Sequence, residues 1–368
     1  MKLERVIISG GGTGGHIFPA VAIADEIRRR NPDVKILFVG AEGKMEMEKV
    51  PEAGYAIIGL PIAGFQRKYT LSNLLLPLKI LKSLTKAHRI IREFDPQVVV
   101  GVGGYASGPT LKVATWLKIP TLVQEQNSHP GKTNILLSKN VTRLCTAYKG
   151  MEKFFPPSKI RLTGNPIRKE MVQIEGKRAE ALAHYHLSQH KQTILIIGGS
   201  LGARTLNVSV LAYLESIEKN EKVQFLWQCG KGYHEKLQND LKDKLPANIH
   251  LVKFIDRMDF AYAAADVIIS RAGAIAISEL CLIGKPLILV PSPNVSEDHQ
   301  TKNAMALVHE NAAIMVTDAN SEKMLIPEVL KLLNDKEKCE ELSREIVKLG
   351  KPNATAEIVD ELDNLVRK

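Results

Sequence analysis

Short apolar runs rich in β-branched residues alternate with helical segments along the whole chain, and this alternation constrains the fold more than any other feature. The runs are RVIIS, VKILFVG, YAIIGL, QVVVGVG, PTLVQEQ and RLCTA before residue 165, then TILIIGG, VQFLWQCG, HLVKFI, DVIIS, PLILVPS and AAIMV. Strands that alternate with helices form βαβ units, whose strands lie parallel in one sheet. The sequence therefore predicts an α/β fold.

A strand, a glycine-rich turn and a helix occur at residues 6–24 and again at residues 193–210. This repeat predicts two doubly wound, Rossmann-like domains that face each other across a cleft, with ligands beyond the carboxyl ends of the strands. Residues 154–182 are dense in proline, glycine and charge, which is typical of a domain boundary. We predict an N-terminal domain at 1–164 and a C-terminal domain at 165–368, whose last helix can pack back on the N-terminal domain.

The net charge of +10 is concentrated in the first half of the chain. Residues 1–165 contain 24 Lys and Arg residues against 12 Asp and Glu residues, whereas the remainder contains 26 against 28. This asymmetry indicates an anionic partner for the N-terminal half. The N-terminus MKLER lacks the apolar stretch of a signal peptide, and the four cysteines form no C-x-x-C pair, so we expect a cytoplasmic protein with reduced thiols.

Three glycine clusters follow strands, at Gly10–Gly15, Gly101–Gly108 and Gly198–Gly202. Glycine lets backbone N–H groups approach a phosphate closely, and the helix that follows adds positive potential. The first cluster matches G-x-G-x-x-G, which leaves a nicotinamide-dependent oxidoreductase as one hypothesis. A histidine at the helix start and a second-domain loop without this fingerprint favour a different phosphate-bearing ligand.

Two residues are candidates for a general base. His16 lies at the rim of the first glycine cluster, and histidine is a common base at neutral pH. Glu125, in the segment QEQN, follows the end of a strand and is an equal candidate. The residues alone do not decide between them.

Eight segments resemble, in the same order, those of the MurG family of N-acetylglucosaminyltransferases. They are GGGTGGHIFPA, GVGGYASGP, QEQNSHPGKTN, TGNPIR, GGSLGAR, FID, SRAGAIAISEL and EDHQTKNA, within residues 6 to 310. The resemblance implies a GT-B fold and an inverting transfer of N-acetylglucosamine from UDP-N-acetylglucosamine to the 4-hydroxyl of the muramoyl sugar of lipid I, which forms lipid II. It also implies cell-wall and cell-division proteins as partners.

The resemblance also implies the site residues. Donor contacts fall on Thr13, Gly14, Gly15, Asn127, Arg168, Ser200, Ile255, Ala274, Ile275, Ala276, Glu279 and Gln300. We assign the diphosphate of the acceptor to Gly12, Gly103, Gly104, Tyr105 and Asn134. No D-x-D motif is present, so we expect transfer without a metal or another cofactor, with the charge of the leaving UDP stabilised by backbone amides and a helix N-terminus.

No acidic residue occurs between Ala53 and Arg92, where basic residues lie among leucines. At helical spacing, one basic face contains Lys79, Lys82, Lys86 and Arg89, with Leu74, Leu75 and Leu78 beside it. The opposite face, formed by Ile80, Leu84, Ile91 and Phe94, is predicted to pack on the sheet. A basic face beside exposed leucines is typical of a peripheral protein on an anionic membrane, here the cytoplasmic face of the cell membrane.

Three hypotheses remain open on the sequence. The first is the lipid-linked sugar transferase, and the second is another GT-B enzyme that uses a UDP-sugar, such as an epimerase or a transferase with a soluble acceptor. The third is the nicotinamide-dependent oxidoreductase. We expect no nucleic-acid partner, because no recognition module for nucleic acid is visible.

Overall fold

The structure, a computed structural model, describes residues 3–62, 76–199, 201–242 and 244–367. The chain forms two compact units. Unit 1 contains the residues up to Ile167 together with those from Asn353 onward, and unit 2 contains Arg168–Pro352. Each unit has its own parallel β-sheet and its own buried core.

Unit 1 is built on a seven-stranded parallel sheet with the order β3-β2-β1-β4-β5-β6-β7. Its strands are β1 (Arg5–Ser9), β2 (Lys35–Ala41), β3 (Ala56–Leu60), β4 (Val98–Gly101), β5 (Thr121–Glu125), β6 (Arg143–Thr146) and β7 (Ile160–Leu162). Its helices are α1 (Gly14–Arg30), α2 (Glu46–Glu52), α3 (Leu76–Phe94), α4 (Ser107–Trp116), α5 (Lys132–Ser138) and the C-terminal helix (Ala354–Val366). The strand order reverses between β1 and β4, which is where such sheets bind ligands.

Unit 2 has a six-stranded parallel sheet with the order β10-β9-β8-β11-β12-β13, so its direction of winding reverses between β8 and β11. Its strands are β8 (Gln192–Ile197), β9 (Val223–Gln228), β10 (Ile249–Val252), β11 (Val267–Ser270), β12 (Leu287–Leu289) and β13 (Ile314–Met315). Its helices are α6 (Arg178–His184), α7 (Arg204–Leu211), α8 (Leu214–Glu218), α9 (His234–Asp240), α10 (Met258–Ala264), α11 (Ala274–Ile283), α12 (His299–Val308), α13 (Ser321–Asn334) and α14 (Lys336–Lys348).

The central strands are covered on both faces, which explains their continuous apolar sequences. Val6, Ile7 and Ile8 of β1 are all buried, Val6 and Ile8 in one core cluster and Ile7 in the cluster on the opposite face. Strands of a parallel sheet read as unbroken apolar runs for this reason. The predicted α/β fold with two Rossmann-like domains is confirmed, and the short strand β7 is an addition that its mixed sequence did not reveal.

Helix α1 begins at Gly14, inside the first glycine cluster. Thr13 is extended and precedes the helix, and Pro19 lies inside it. Proline removes the one hydrogen bond that its N–H would donate to the carbonyl of Gly15. The helix continues because its inner face is buried in the core of unit 1, at Ile17 and Ile23 among others.

The C-terminal helix completes unit 1 although it follows all of unit 2 in the chain. Ile358, Val359 and Leu362 are buried in the same core cluster as strand β1. A partly buried ion pair joins Glu361 to Arg143 of β6, with an N–O distance of 2.7 Å. This helix therefore covers one face of the sheet of unit 1.

Candidate active site

The two glycine clusters of unit 1 lie side by side because the strands that precede them, β1 and β4, are neighbours. The Gly11 N–H donates to the Gly103 carbonyl at 3.3 Å. A Cβ atom at position 104 would lie 2.4 Å from the Gly11 carbonyl oxygen, so this contact requires glycine. Gly12, Gly103 and Gly104, predicted to bind the acceptor, therefore lie in two loops that form one continuous surface.

Thr13, Gly14 and Gly15 surround the start of α1, and Thr13 and Gly15 are exposed. Gly14 and Gly15 open the helix, so their amides have no carbonyl four residues earlier in the same helix. The N-terminus of a helix attracts anions through such amides and through the helix dipole. These predicted donor contacts thus belong to unit 1, where they lie at the N-terminus of α1.

His16 has a defined orientation at this surface. Its Nδ1 atom lies 2.9 Å from the Gly11 carbonyl oxygen. Because a carbonyl oxygen only accepts hydrogen bonds, Nδ1 must carry the proton, and in the neutral ring Nε2 then holds the lone pair. The ring lies against Gly103, where a Cβ atom would come within 2.8 Å of Nε2. The geometry leaves Nε2 as the atom that can accept a proton.

Glu125 is in a different situation, since it is 2% exposed and surrounded by hydrogen-bond donors. Its Oε1 accepts hydrogen bonds from the backbone N–H and the side-chain amide of Asn127, at 3.0 and 3.2 Å. Its Oε2 accepts from the Gly131 N–H at 3.1 Å and from Asn134 Nδ2 at 2.8 Å. All four acceptor positions of the carboxylate are thus occupied by donors from the loop after β5 and from α5.

The structure also places the other predicted acceptor residues. Asn134 is 3% exposed, and while its Nδ2 bonds to Glu125, its Oδ1 is buried with no hydrogen-bond partner among the described residues. Tyr105 lies just before α4 and is 49% exposed. Gln126 connects the loop after β5 to the loop after β4. Its buried side-chain amide donates a hydrogen bond to the carbonyl of Val102, the residue before Gly103, at 2.8 Å.

Sequence reasoning did not identify Glu46, at the start of α2. It is 1% exposed, and its carboxylate accepts hydrogen bonds from the Ala41 N–H at 2.9 Å and the Gly12 N–H at 2.8 Å. In the sequence it stands among charged neighbours in KMEMEKVPE, a pattern that indicates a solvent-exposed helix. The burial of Glu46 becomes visible only in the folded chain, where the first glycine loop lies against its carboxylate.

In unit 2 the glycine loop after β8 precedes α7, and Ser200, a predicted donor contact, lies outside the described residues. Gln228 Nε2 donates to the Gly199 carbonyl at 3.0 Å, and the Gly202 N–H donates to the same oxygen at 2.9 Å. The loop is thus fixed from the neighbouring strand β9. It lies beside the loop after β11, because β8 and β11 are paired.

The loop after β11 leads into α11, and the predicted donor contacts Ala274, Ile275 and Ala276 form the first turn of this helix. All three are partly exposed. Gly273 precedes the helix in an extended conformation, without a side chain to cap it. The ten-residue helix therefore presents the positive end of its dipole at the switch point of unit 2.

Glu279 lies one turn further along α11. Its Oε2 accepts a hydrogen bond from the Tyr262 hydroxyl at 3.2 Å. Burial raises the pKa of Glu279 to about 7, an effect opposed by this hydrogen bond and by the positive charge of Arg168. The burial of Tyr262 and the nearby Glu279 carboxylate raise the pKa of the tyrosine as well. Glu279 thus changes its charge near neutral pH, and additional hydroxyl donors would stabilise the ionised form.

The remaining predicted donor residues have distinct surroundings. Gln300 uses its Oε1 to accept from the Ala272 N–H at 3.2 Å and the Ser292 N–H at 2.9 Å, which joins the loops after β11 and β12. Ile255 is buried after β10, whereas Arg168 is exposed. Sequence reasoning missed the ion pair between Arg271, in the loop after β11, and Asp318.

The predicted membrane surface on α3 is placed only in part, because Leu74 and Leu75 lie outside the described residues. Three apolar side chains near the start of the helix are exposed, namely Leu78, Ile80 and Leu81. The prediction that Ile80 packs on the sheet is wrong, since its side chain is exposed and the first buried residue described in this helix is Ser83.

The basic residues of α3 differ in their surroundings. Lys82 and Arg89 are exposed, Lys79 is partly exposed, and Arg89 lies 3.9 Å from Glu93. Lys86 forms an ion pair with Glu42 at 2.8 Å, so the acid-free stretch of sequence meets an acidic residue from another segment.

Among the described residues, no helix is long and apolar enough to cross a membrane, and no group of His, Cys, Asp and Glu side chains is arranged to hold a metal ion.

Comparison with known proteins gives matches over both units. Residues 6–146 match the N-terminal domain of glycosyltransferase family 28, and residues 193–360 match its C-terminal domain. The chain is 52% identical to a UDP-N-acetylglucosamine–N-acetylmuramyl-(pentapeptide) pyrophosphoryl-undecaprenol N-acetylglucosamine transferase of Parabacteroides distasonis, over 100% of both chains. It is 55% identical to the protein of the same name from Bacteroides fragilis, over 99% of this chain and 96% of the relative.

Among solved structures, the crystal structure of MurG from Acinetobacter baumannii is similar over 98% of this chain and 99% of that one, with a TM-score of 0.78 and 29% identity. A UDP-N-acetylglucosamine 2-epimerase from Neisseria meningitidis is also similar, with a TM-score of 0.67 and 16% identity, which indicates a shared fold only.

Proposed function

The chain belongs to glycosyltransferase family 28, and from this premise we propose that it transfers N-acetylglucosamine from UDP-N-acetylglucosamine to the 4-hydroxyl of the muramoyl sugar of lipid I, forming lipid II. The observation that carries the proposal is the identity of 52% and 55%, over almost the whole chain, to two relatives that share one activity name. The chemistry of each unit is consistent with this reaction.

We propose His16 as the general base. Its Nδ1–H is held by the Gly11 carbonyl, which directs the lone pair of the ring to Nε2. Nε2 accepts the proton of the acceptor hydroxyl as that oxygen forms its bond to C1 of N-acetylglucosamine. The bond between C1 and the diphosphate oxygen breaks, UDP leaves with the electron pair, and the configuration at C1 is inverted.

Glu125 is not proposed as the base, because its four acceptor positions are occupied by loop donors. We propose that it shapes the acceptor site instead. The loops that contain Gly12, Gly103 and Gly104, with Tyr105 and Asn134, then hold the acceptor and its diphosphate in unit 1.

We assign the UDP portion of the donor to unit 2. The dipole of α11 stabilises the negative charge that develops on the leaving diphosphate. Glu279 lies on the same helix and accepts hydrogen bonds from the ribose hydroxyls, as acidic residues do in other nucleotide-binding folds. Thr13, Gly14 and Gly15, in unit 1, remain proposed contacts to the donor.

We also propose that unit 1 binds the cytoplasmic face of an anionic membrane through the start of α3. Exposed Leu78, Ile80 and Leu81 lie near Lys79 and Lys82, a combination that favours insertion into the interface of a charged leaflet. Such binding concentrates the enzyme where a lipid-linked acceptor resides. Interactions with cell-wall and cell-division proteins are part of the same proposal.

Incubation with labelled UDP-N-acetylglucosamine and a lipid I analogue tests the function. We expect the label to move into the lipid fraction, and only when the acceptor analogue is present. Release of label only as free sugar, or its recovery in an epimerised UDP-sugar, would contradict the proposal.

A further inference from the structure

A single peptide group, made of the Gly11 carbonyl and the Gly12 N–H, connects two side chains in unit 1. On one side, the Gly12 N–H donates to Glu46 Oε2 at 2.8 Å. On the other side, the Gly11 carbonyl accepts from His16 Nδ1 at 2.9 Å. We propose that Glu46 is a positioning residue that acts through this peptide group to hold His16 in the tautomer required of a base.

The Glu46 carboxylate is held at this place by the shape of the loop as well as by hydrogen bonds. Its second oxygen, Oε1, accepts from the Ala41 N–H at 2.9 Å, which fixes the side chain to the end of β2. A Cβ atom at Gly11 would lie 2.2 Å from the carboxylate, and one at Gly40 would lie 2.6 Å from Glu46 Cγ. Two glycines from separate segments thus make room for one buried acidic side chain.

The peptide group transmits the effect of the carboxylate because its N–H and its carbonyl are polarised together. A negative charge that accepts the N–H increases the negative charge on the carbonyl oxygen of the same amide, and linked hydrogen bonds strengthen one another. The stronger carbonyl acceptor favours the proton on Nδ1 of His16 over the proton on Nε2. No proton moves along this chain of contacts.

The arrangement performs the task that an aspartate performs directly in a serine–histidine–aspartate triad, which is to select the tautomer of the imidazole. Here the carboxylate and the ring are separated by one peptide group. The inference rests on the proposed role of His16, and it adds the reason why the Gly11 carbonyl faces Nδ1.

The variant Glu46→Gln tests this positioning role. The carboxylate now accepts hydrogen bonds from two N–H groups, and in the variant an amide nitrogen, which cannot accept, would face one of them. We expect kcat to fall by about 10- to 100-fold, a range typical of residues that orient a functional imidazole. The KM for UDP-N-acetylglucosamine should change by less than about twofold, because an interaction used only in the transition state lowers kcat and kcat/KM together. Glu48→Gln, an exposed residue two positions along the same helix, is the matched control and should leave kcat unchanged.

A double-mutant cycle separates action through His16 from a general effect on the fold. In a His16→Ala background, Glu46→Gln should lower kcat by less than about twofold, because residues that act as one unit are not additive. A further loss of tenfold or more in that background would overturn the inference. If His16→Ala itself leaves kcat unchanged, the proposed base is wrong, and that failure is distinct from failure of the positioning role.

The tautomer can also be read directly by NMR of protein labelled with ¹⁵N-histidine, with His16 assigned by the loss of its signals in His16→Ala. We expect a protonated Nδ1 in the wild-type neutral ring and a mixture of tautomers in Glu46→Gln. A wild-type ring protonated on Nε2, or an unchanged tautomer in Glu46→Gln, would contradict the proposal. If Glu46→Gln does not fold, Glu46→Asp, which keeps the charge but is one methylene shorter, should show the same mixed tautomer, and a wild-type tautomer in that variant would overturn the inference.

Discussion

The first six strands of unit 1 have the same order as the six strands of unit 2, but the two units differ in the surroundings of particular carboxylates. In unit 1, Glu46 and Glu125 are 1% and 2% exposed, and backbone and amide donors of the protein itself surround both. In unit 2, Glu279 is partly exposed and accepts a hydrogen bond from the Tyr262 hydroxyl, and burial raises its pKa to about 7. Glu46 and Glu125 accept hydrogen bonds from loops of unit 1, whereas burial raises the pKa of Glu279 so that part of it is protonated at neutral pH.

This difference shows how one architecture can perform two tasks. A loop whose polar groups are satisfied within the protein is rigid, which is what a general base requires for its orientation. A carboxylate with few protein partners can gain hydrogen bonds from ligand hydroxyls, which is what a binding site requires. Under the proposed function, similar sheets therefore support one site that positions a reacting group and another that recognises a nucleotide.

The largest expected effect concerns His16. We expect His16→Ala to lower kcat by about 10²- to 10⁴-fold, the usual contribution of a general base, while binding of UDP to unit 2 stays the same. Steady-state transfer assays and calorimetric titration with UDP measure the two quantities. His190→Ala, an exposed histidine of unit 2 just before β8, is the control and should leave both quantities unchanged. Loss of UDP binding in His16→Ala would instead indicate a disturbed fold.

The second prediction tests whether Glu125 is structural. Glu125→Gln places an amide nitrogen against donors of the loop after β5, so we expect a loss of about 2 kcal/mol in the free energy of unfolding. Denaturant titration measures this loss, and Glu152→Gln, an exposed residue of unit 1, should show none. A large fall in kcat at unchanged stability would restore Glu125 as a candidate base and break the comparison between the units.

The third prediction concerns the pH dependence of donor binding to unit 2. Glu279 is protonated below its pKa of about 7 and ionised above it, and the ionised form accepts hydrogen bonds from two ribose hydroxyls. The affinity for UDP-N-acetylglucosamine should therefore rise about tenfold between pH 6 and pH 8. Glu279→Gln should bind more weakly and without this pH dependence, and a wild-type affinity that falls with increasing pH would contradict the assignment.

The smallest expected effect concerns the membrane surface, which we assign to unit 1 alone. Removal of one exposed charge with Lys82→Gln should weaken binding to vesicles rich in anionic lipid by about fivefold, since each such residue contributes about 1 kcal/mol. Lys236→Gln on α9 is the matched control, because Lys236 is an exposed lysine of unit 2. Flotation assays measure vesicle binding by both variants. An equal loss of binding in the two variants would contradict a membrane-binding surface on unit 1.

The strands were predictable because a two-sided core imposes a local pattern, and β1 and β8 occur where their apolar runs predicted them. The glycine loops were predictable for the same reason, since they follow those strands directly. Glu46 was not predictable, because its burial depends on Gly11 and Gly40, which approach it only in the folded chain. The proposal of His16 rather than Glu125 as the base likewise depends on hydrogen-bond partners that the sequence does not display.

The position of the C-terminal helix has a consequence for the order in which the protein is made. A nascent chain that has reached residue 352 contains every strand described in both sheets, yet one face of the first sheet still lacks Ile358, Val359 and Leu362. Unit 2 is one uninterrupted segment, whereas unit 1 needs two segments that lie on either side of unit 2 in the chain. A chain that stops at residue 352 should therefore contain a complete unit 2 and a unit 1 whose core lacks its last helix.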